Sequence, residues 1–235
     1  MKKVLLVLIV LLIALGGIFH KQIIATIDFY QYQRENADVF SQATIKWKPI
    51  PFTSTGESGV TGDSLSFHSL RMPITFRATK GEGEDASFAF GGAQSITINY
   101  SSAASDLFRM YNFSDEDKKT TCAFLSQTSG RGACTSNYNL YRAFLELNKT
   151  DIHIFTSITN KQLYNRLMEI RAGHIPSNTV SGFETSGLRG FIFTDNSGDY
   201  TVELFDSEDQ QYHLELVNLD LAEMSFVLSN ITYNK

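Results

Sequence analysis

Positive charge is not in excess: 20 Lys and Arg stand against 25 Asp and Glu, a formal net charge of −5. A sequence-independent grip on nucleic acid works by replacing phosphate counterions with cations, so nucleic acid is not an expected partner. No internal repeat or low-complexity tract is visible. With 43% hydrophobic, 19% charged and 12% aromatic residues over 235 positions, the composition argues against a disordered tail, a collagenous repeat or a multi-span membrane protein. It points to one main folded body with modest additions.

Signatures of chemistry are scarce as well. The five histidines are His20, His68, His153, His174 and His213. None lies three or four positions from another His, Cys or carboxylate in a helix, the spacing a metalloprotease pair requires, so no metal site is nominated. His68 and His213 fall in strand patterns and His153 in an apolar stretch, which gives each a hydrogen-bonded structural role. A nucleophile elbow needs Gly-x-Ser-x-Gly between a strand and a helix; Gly56-Glu57-Ser58-Gly59 only brushes it, inside an expected linker. Gly81-Glu82-Gly83 has no following helix start or phosphate-binding lysine and reads as a turn. Asp195 to Asp199 has its glycine out of place for a calcium loop and lacks the terminal glutamate, and reads as a hairpin. No catalytic residue and no cofactor is nominated.

What is present begins with Met1-Lys2-Lys3 and an apolar run from Val4 to Phe19, closed by His20-Lys21-Gln22. This is the pattern of an export signal or a single membrane anchor. The run is short against the roughly 20 residues that cross a bilayer, but Ile23, Ile24, Ala25 and Ile27 extend it if His20 and Lys21 lie near an interface. The reading is a signal-anchor; the alternative is cleavage after Gly16, where Ala14-Leu15-Gly16 offers small residues to a signal peptidase. The leader has no cysteine, which disfavours a lipoprotein. Two lysines before the run place the amino terminus in the cytoplasm and the rest outside it.

Outside the cytoplasm disulfides persist, and the chain has two cysteines, Cys122 and Cys134. Between them Ser129-Gly130-Arg131-Gly132 can turn the chain back so that the sulfurs meet. A bridge is expected, the alternative being two reduced, buried thiols. The spacing is too long for a redox-active pair at a helix start.

Residues 1–27 are thus read as signal-anchor or signal peptide, 28–63 as a linker or membrane-proximal segment with a short helix, and 64–235 as an extracytoplasmic α+β domain. Leu65 and Phe67, then Ile74 and Phe76, alternate with polar neighbours, and Pro73 limits the second segment to an edge or a strand start. Phe88 and Phe90, Gly91-Gly92, then Ile96, Ile98 and Tyr100 predict a hairpin. Three helices follow. One starts at the capped Ser114-Asp115-Glu116-Asp117, one carries Tyr138, Tyr141 and Leu145, and one starts at Thr159-Asn160-Lys161-Gln162 with a Leu163, Leu167, Ile170 stripe. All three are expected to cover a sheet. Phe191 and Phe193, then Tyr200, Val202 and Leu204, then Tyr212, Leu214 and Leu216 predict a meander. Asp220 and Glu223 box a final helix with Leu221, Met224, Val227, Leu228 and Ile231 on one side.

Four stretches carry a resemblance: Ser136-Asn137-Tyr138-Asn139-Leu140-Tyr141, Gly187-Leu188-Arg189-Gly190-Phe191-Ile192-Phe193, Val202-Glu203-Leu204-Phe205-Asp206, and Met224-Ser225-Phe226-Val227-Leu228-Ser229-Asn230-Ile231. Residues 64–235 resemble uncharacterised bacterial membrane-anchored or secreted proteins and, more distantly, the Mog1/PsbP-like α/β/α sandwich. That group is generally made of non-enzymatic binding or assembly factors, so the resemblance implies such a role, and it carries over no functional residue.

The expected fold is α+β, a largely antiparallel sheet flanked by helices. The expected function is a non-catalytic extracytoplasmic binding or assembly-accessory module held on the bacterial cytoplasmic membrane by a single pass, or secreted or periplasmic if the leader is cleaved. Its partners would be the membrane, through the leader, and an envelope protein. The alternatives are an envelope hydrolase whose Ser, His and Asp meet only in space, with His153 or His213 at its centre, and a carrier of an apolar ligand with strand aromatics around a closed pocket.

Overall fold

A computed structural model describes residues 2–49, 64–73, 79–80, 86–89, 94–101, 108, 111–130, 132–185, 187–195 and 197–233, with the backbone alone for residues 2–15, 18, 65, 73, 79–80, 86–89 and 100–101. The chain forms two compact units, Met1–Thr44 with Leu147–Gly173, and Ile45–Glu146 with His174–Lys235.

The first unit is helical. Helix α1 spans Lys2–Glu35 and α2 Ala37–Ala43. With neither Gly nor Pro between Gly17 and Glu35 to stop it, the helix of the apolar run continues through the segment expected to hold a separate short helix. Among the described residues no helix is long and apolar enough to cross a membrane, and the side chains of Val4 to Leu15 lie outside them. Phe29 is buried, with its ring 5.7 Å from that of Tyr164. The Tyr32 hydroxyl donates to Glu169. Leu163, Leu167 and Ile170 are buried, as their spacing predicts. Their helix begins at Ile158, however, and the Ser157 hydroxyl accepts the Asn160 N–H at 3.1 Å. The cap therefore sits two residues before Thr159, because Ser157 has the three-residue offset that satisfies an orphan amide.

The second unit holds both sheets. Among the described residues the larger has eight strands in the order β1-β7-β8-β9-β10-β6-β5-β4. These are β1 (Lys46–Trp47), β4 (Thr79–Lys80), β5 (Ala86–Ala89), β6 (Ser95–Ser101), β7 (Thr179–Thr185), β8 (Leu188–Thr194), β9 (Tyr200–Asp206) and β10 (Gln211–Val217). Neighbours are antiparallel except β1 and β7, which run parallel. The smaller sheet orders β11 (Thr232–Tyr233), β3 (Leu70–Pro73) and β2 (Ser64–Phe67). Helices α3 (Asp115–Ser129), α4 (Asn137–Glu146) and α6 (Leu221–Asn230) belong here, whereas α5 (Ile158–His174) belongs almost entirely to the first unit. The fold is α+β, a mixed sheet flanked by helices.

Cross-strand partners share a face, and the register separates two faces. Ile192, Val202, Leu214 and Ile98 line up on one. There they pack with Met224, Val227 and Leu228 of α6 and with Phe67, Leu70 and Met72 of the small sheet. The other face bears Phe191, Glu203, His213 and Asn99 in one row and Arg189, Phe205 and Gln211 in the next, and α4 lies against it through Tyr138 and Tyr141. Burying each ring or aliphatic side chain contributes roughly 1.5–3 kcal/mol.

Several expectations shift. Strand β3 ends at Pro73, and the strand expected around Ile74 and Phe76 lies outside the described residues. His68 is in the β2–β3 turn with φ 49°, not in a strand, because two paired strands this close need a tight reversal. Leu221, expected on the apolar side of α6, is instead 47% exposed, whereas Met224, Val227 and Leu228 are buried. The β5–β6 hairpin pairs Ala89 with Ser95, and its glycines lie outside the described residues, as do residues 50–63 of the linker expected over 28–63.

Candidate functional site

Tyr138, Arg142 and Glu146 are four residues apart and so fall along one edge of α4. Opposite them β7 presents Gly182, Phe183 and Glu184, and β1 brings Trp47. With Phe191 as floor these residues line an open cleft of ≈ 450 Å³. Trp47 is 44% exposed, its indole edge-on to Phe191 at 6.3 Å. Gly182 leaves β7 bare beneath the indole; a Cβ there would come within 4.0 Å of it. The Tyr138 ring stacks on Phe191 at 5.2 Å on one side, and the Arg189 guanidinium lies over it at 4.2 Å. At the rim Arg142 donates to Glu146 at 2.7 Å, which raises the Arg142 pKa, while Glu184 is exposed. An aromatic floor with both signs of charge at its edge suits a flat or apolar group with polar ends.

The helix is aimed by a residue from far along the chain. Asp209, in the β9–β10 turn with φ 63°, accepts the N–H groups of Asn137 and, at 3.2 Å, Tyr138. A carboxylate on these two amides caps α4 and complements its positive end. Asp209 also sits 3.8 Å from Arg189, joining helix, turn and β8 at the cleft.

Beneath α4 the sheet carries a polar cluster. Glu203 is buried, and its two oxygens accept from His213 Nδ1 and Gln211 Nε2, each at 2.7 Å. His213 Nε2 faces Glu215 at 3.5 Å. Burial pushes the His213 imidazole down, but the hydrogen bond and charge of Glu203, reinforced by Glu215, outweigh it, and the net shift is upward. His174 moves the other way: burial lowers it, with Glu203 opposing and His213 assisting. Its ring lies between Tyr111 at 6.0 Å and Tyr141 at 6.2 Å. Burial, with Glu203 and Tyr111 adding to it, holds the Tyr141 hydroxyl well above the usual phenol range. In a Ser-His-Asp site one ring nitrogen binds the acid and the other takes the serine proton; here carboxylates face both nitrogens.

Glu203 and His213 were not paired from the sequence, because the register that joins them is set by the geometry of the β9–β10 turn. Asp206 N–H donates to Gln210 O across the turn, and counting outward from that closure pairs 205 with 211, 204 with 212 and 203 with 213. The Asp209 cap and the Trp47 placement had no local signal, since each joins residues far apart in the chain.

Cys122 and Cys134 lie at disulfide distance, with Sγ–Sγ 1.99 Å and Cα–Cα 5.6 Å, and Gly130 turns the chain with φ 66°. His153 is exposed and bonds Thr156 Oγ1 at 2.8 Å. Asp195 Oδ1 accepts from Ser197 and Asp199 N–H groups at 2.9 and 3.0 Å, closing the hairpin from within. Among the described residues no group of three His, Cys, Asp or Glu is placed to hold a metal ion. The strand aromatics are in mutual contact, Tyr141 lying 5.7, 6.5 and 5.9 Å from Phe191, Phe193 and Phe205. No protein-family model matches the chain, and no curated protein matches it.

Proposed function

We propose that the chain is a membrane-tethered, extracytoplasmic binding module, held on the bacterial cytoplasmic membrane by its leader, that takes an envelope protein partner at the Trp47 cleft. The carrying observation is that half-exposed indole set over bare β7 backbone, on a strand that is the edge of the sheet among the described residues. In a parallel pair alternate residues bond inward, and Lys46 and Lys48 N–H groups donate to Asn178 and Val180 carbonyls; the Trp47 amide points the other way, so an extended segment could add to β1 with a side chain in the cleft. The sandwich class suggested by the Mog1/PsbP resemblance, a group of binding and assembly factors, supports the same reading.

A photo-crosslinker at Glu184, compared in intact cells with one at the exposed Asp115 of α3, tests it. The expected result is a discrete adduct from position 184 only, lost with Trp47→Ala. Absence of a reproducible adduct, or equal adducts from both sites, would overturn the reading.

A further inference from the structure

Within the first unit the loop before α5 presents apolar side chains to solvent. Phe155 is 69% and Ile154 47% exposed, and Ile158 follows on the first turn. The loop is held in this form from behind. The ammonium of Lys161, itself buried, donates to the carbonyls of Ile154 at 3.0 Å and Thr156 at 2.8 Å. Thr156 Oγ1 accepts the His153 N–H at 3.0 Å, and Thr156 N–H donates to His153 O at 3.0 Å. Spending a buried cation and a hydroxyl on holding two large apolar side chains in water is costly unless something covers them.

The position of the loop identifies the cover. The Phe155 ring packs edge-on against Phe19 at 6.2 Å, and Phe19 is the last residue of the apolar run that starts at Val4. Whatever depth the end of the run reaches, Phe155 is carried to the same level. Basic His20 and Lys21 come next on α1, both exposed, where an anionic headgroup layer would meet them. We infer that Ile154, Phe155 and Ile158 form a second, non-spanning contact with the lipid surface, inserting at the headgroup and acyl boundary beside the leader. The inference rests on the tether reading above and adds to it a fixed seat: one helix alone leaves the unit free to tilt, and a wedge beside it removes that freedom.

The test uses the full chain carrying Phe155→Trp and Trp47→Phe, so that the new indole is the sole one. It is reconstituted in phosphatidylcholine and phosphatidylglycerol vesicles whose acyl chains carry bromine near the headgroup end. The expected result is a blue-shifted emission, strongly quenched by the bromines, in a chain that stays with the vesicles through an alkaline carbonate wash. Retention with unquenched, water-like emission overturns the wedge and leaves the tether standing. A blue shift without quenching puts the ring against a second copy or another protein surface and also overturns the lipid assignment. Release by carbonate with quenching kept overturns the spanning tether alone and supports a peripheral lipid contact; release with no quenching overturns both.

Discussion

Two imidazoles feel the charge of Glu203, but only His213 is bonded to it, and their environments drive them apart. His213 has Glu203 on Nδ1 and Glu215 near Nε2; His174 is enclosed by Tyr111 and Tyr141. A base whose folded pKa is raised contributes stability that is complete below its unfolded value and lost as pH climbs through the folded one, so the His213 contribution disappears above about 6.5. A base whose folded pKa is lowered binds its proton more readily when unfolded, so His174 costs stability as pH falls below about 6.5. Imidazole NMR titration should show the two midpoints on opposite sides of that value. In melting scans, His213→Gln should flatten the alkaline decline and His174→Gln the acid one. A shared midpoint would contradict the geometry.

Strands β8 and β9 approach so closely at Gly190 that a Cβ there would run into the Glu203 carbonyl oxygen and press on Phe183. Gly190→Ala should therefore cost at least about 1–3 kcal/mol by chemical denaturation, through overpacking. Gly182→Ala, with only a 4.0 Å contact, should be milder at the same readout. Joining α3 to the following turn, the Cys122–Cys134 pair closes a separation of 12 residues. Replacing both with Ser should lower stability by about 3 kcal/mol on the chain-entropy estimate; a change below about 1 kcal/mol would show that the denatured chain is little constrained by it. Elements closed by nearby residues were the legible ones. The reciprocal caps Ser114 with Asp117 and Asp220 with Glu223 are present as read, because each box spans one turn. The β8–β9–β10 meander was legible from alternation, and β7 was not: Val180, Ser181 and Phe183 are buried around the small Gly182, which breaks the period. The parallel β1–β7 pairing and the Asp209 cap on α4 depend on residues more than 70 positions apart, and no local pattern encodes such meetings.

Two units with different surfaces compose the chain, a helical one beginning with the apolar run and a sheet-bearing one with the aromatic cleft. The grouping of residues 147–173 with the amino-terminal helices was hidden from the sequence, because the stripe on α5 looks the same whether it faces a sheet or other helices. The disulfide-distance pair Cys122 and Cys134 is what the extracytoplasmic proposal calls for, because such bridges persist outside the cytoplasm. The tethered, outward-facing arrangement is tested most directly by adding protease to intact spheroplasts and probing the carbonate-washed membrane fraction for the sheet-bearing unit. The expected result is a membrane-retained chain whose sheet unit is digested from outside while a cytosolic marker stays intact. A chain that is fully protected until the cells are lysed, or that is recovered in the cytosol, would contradict it.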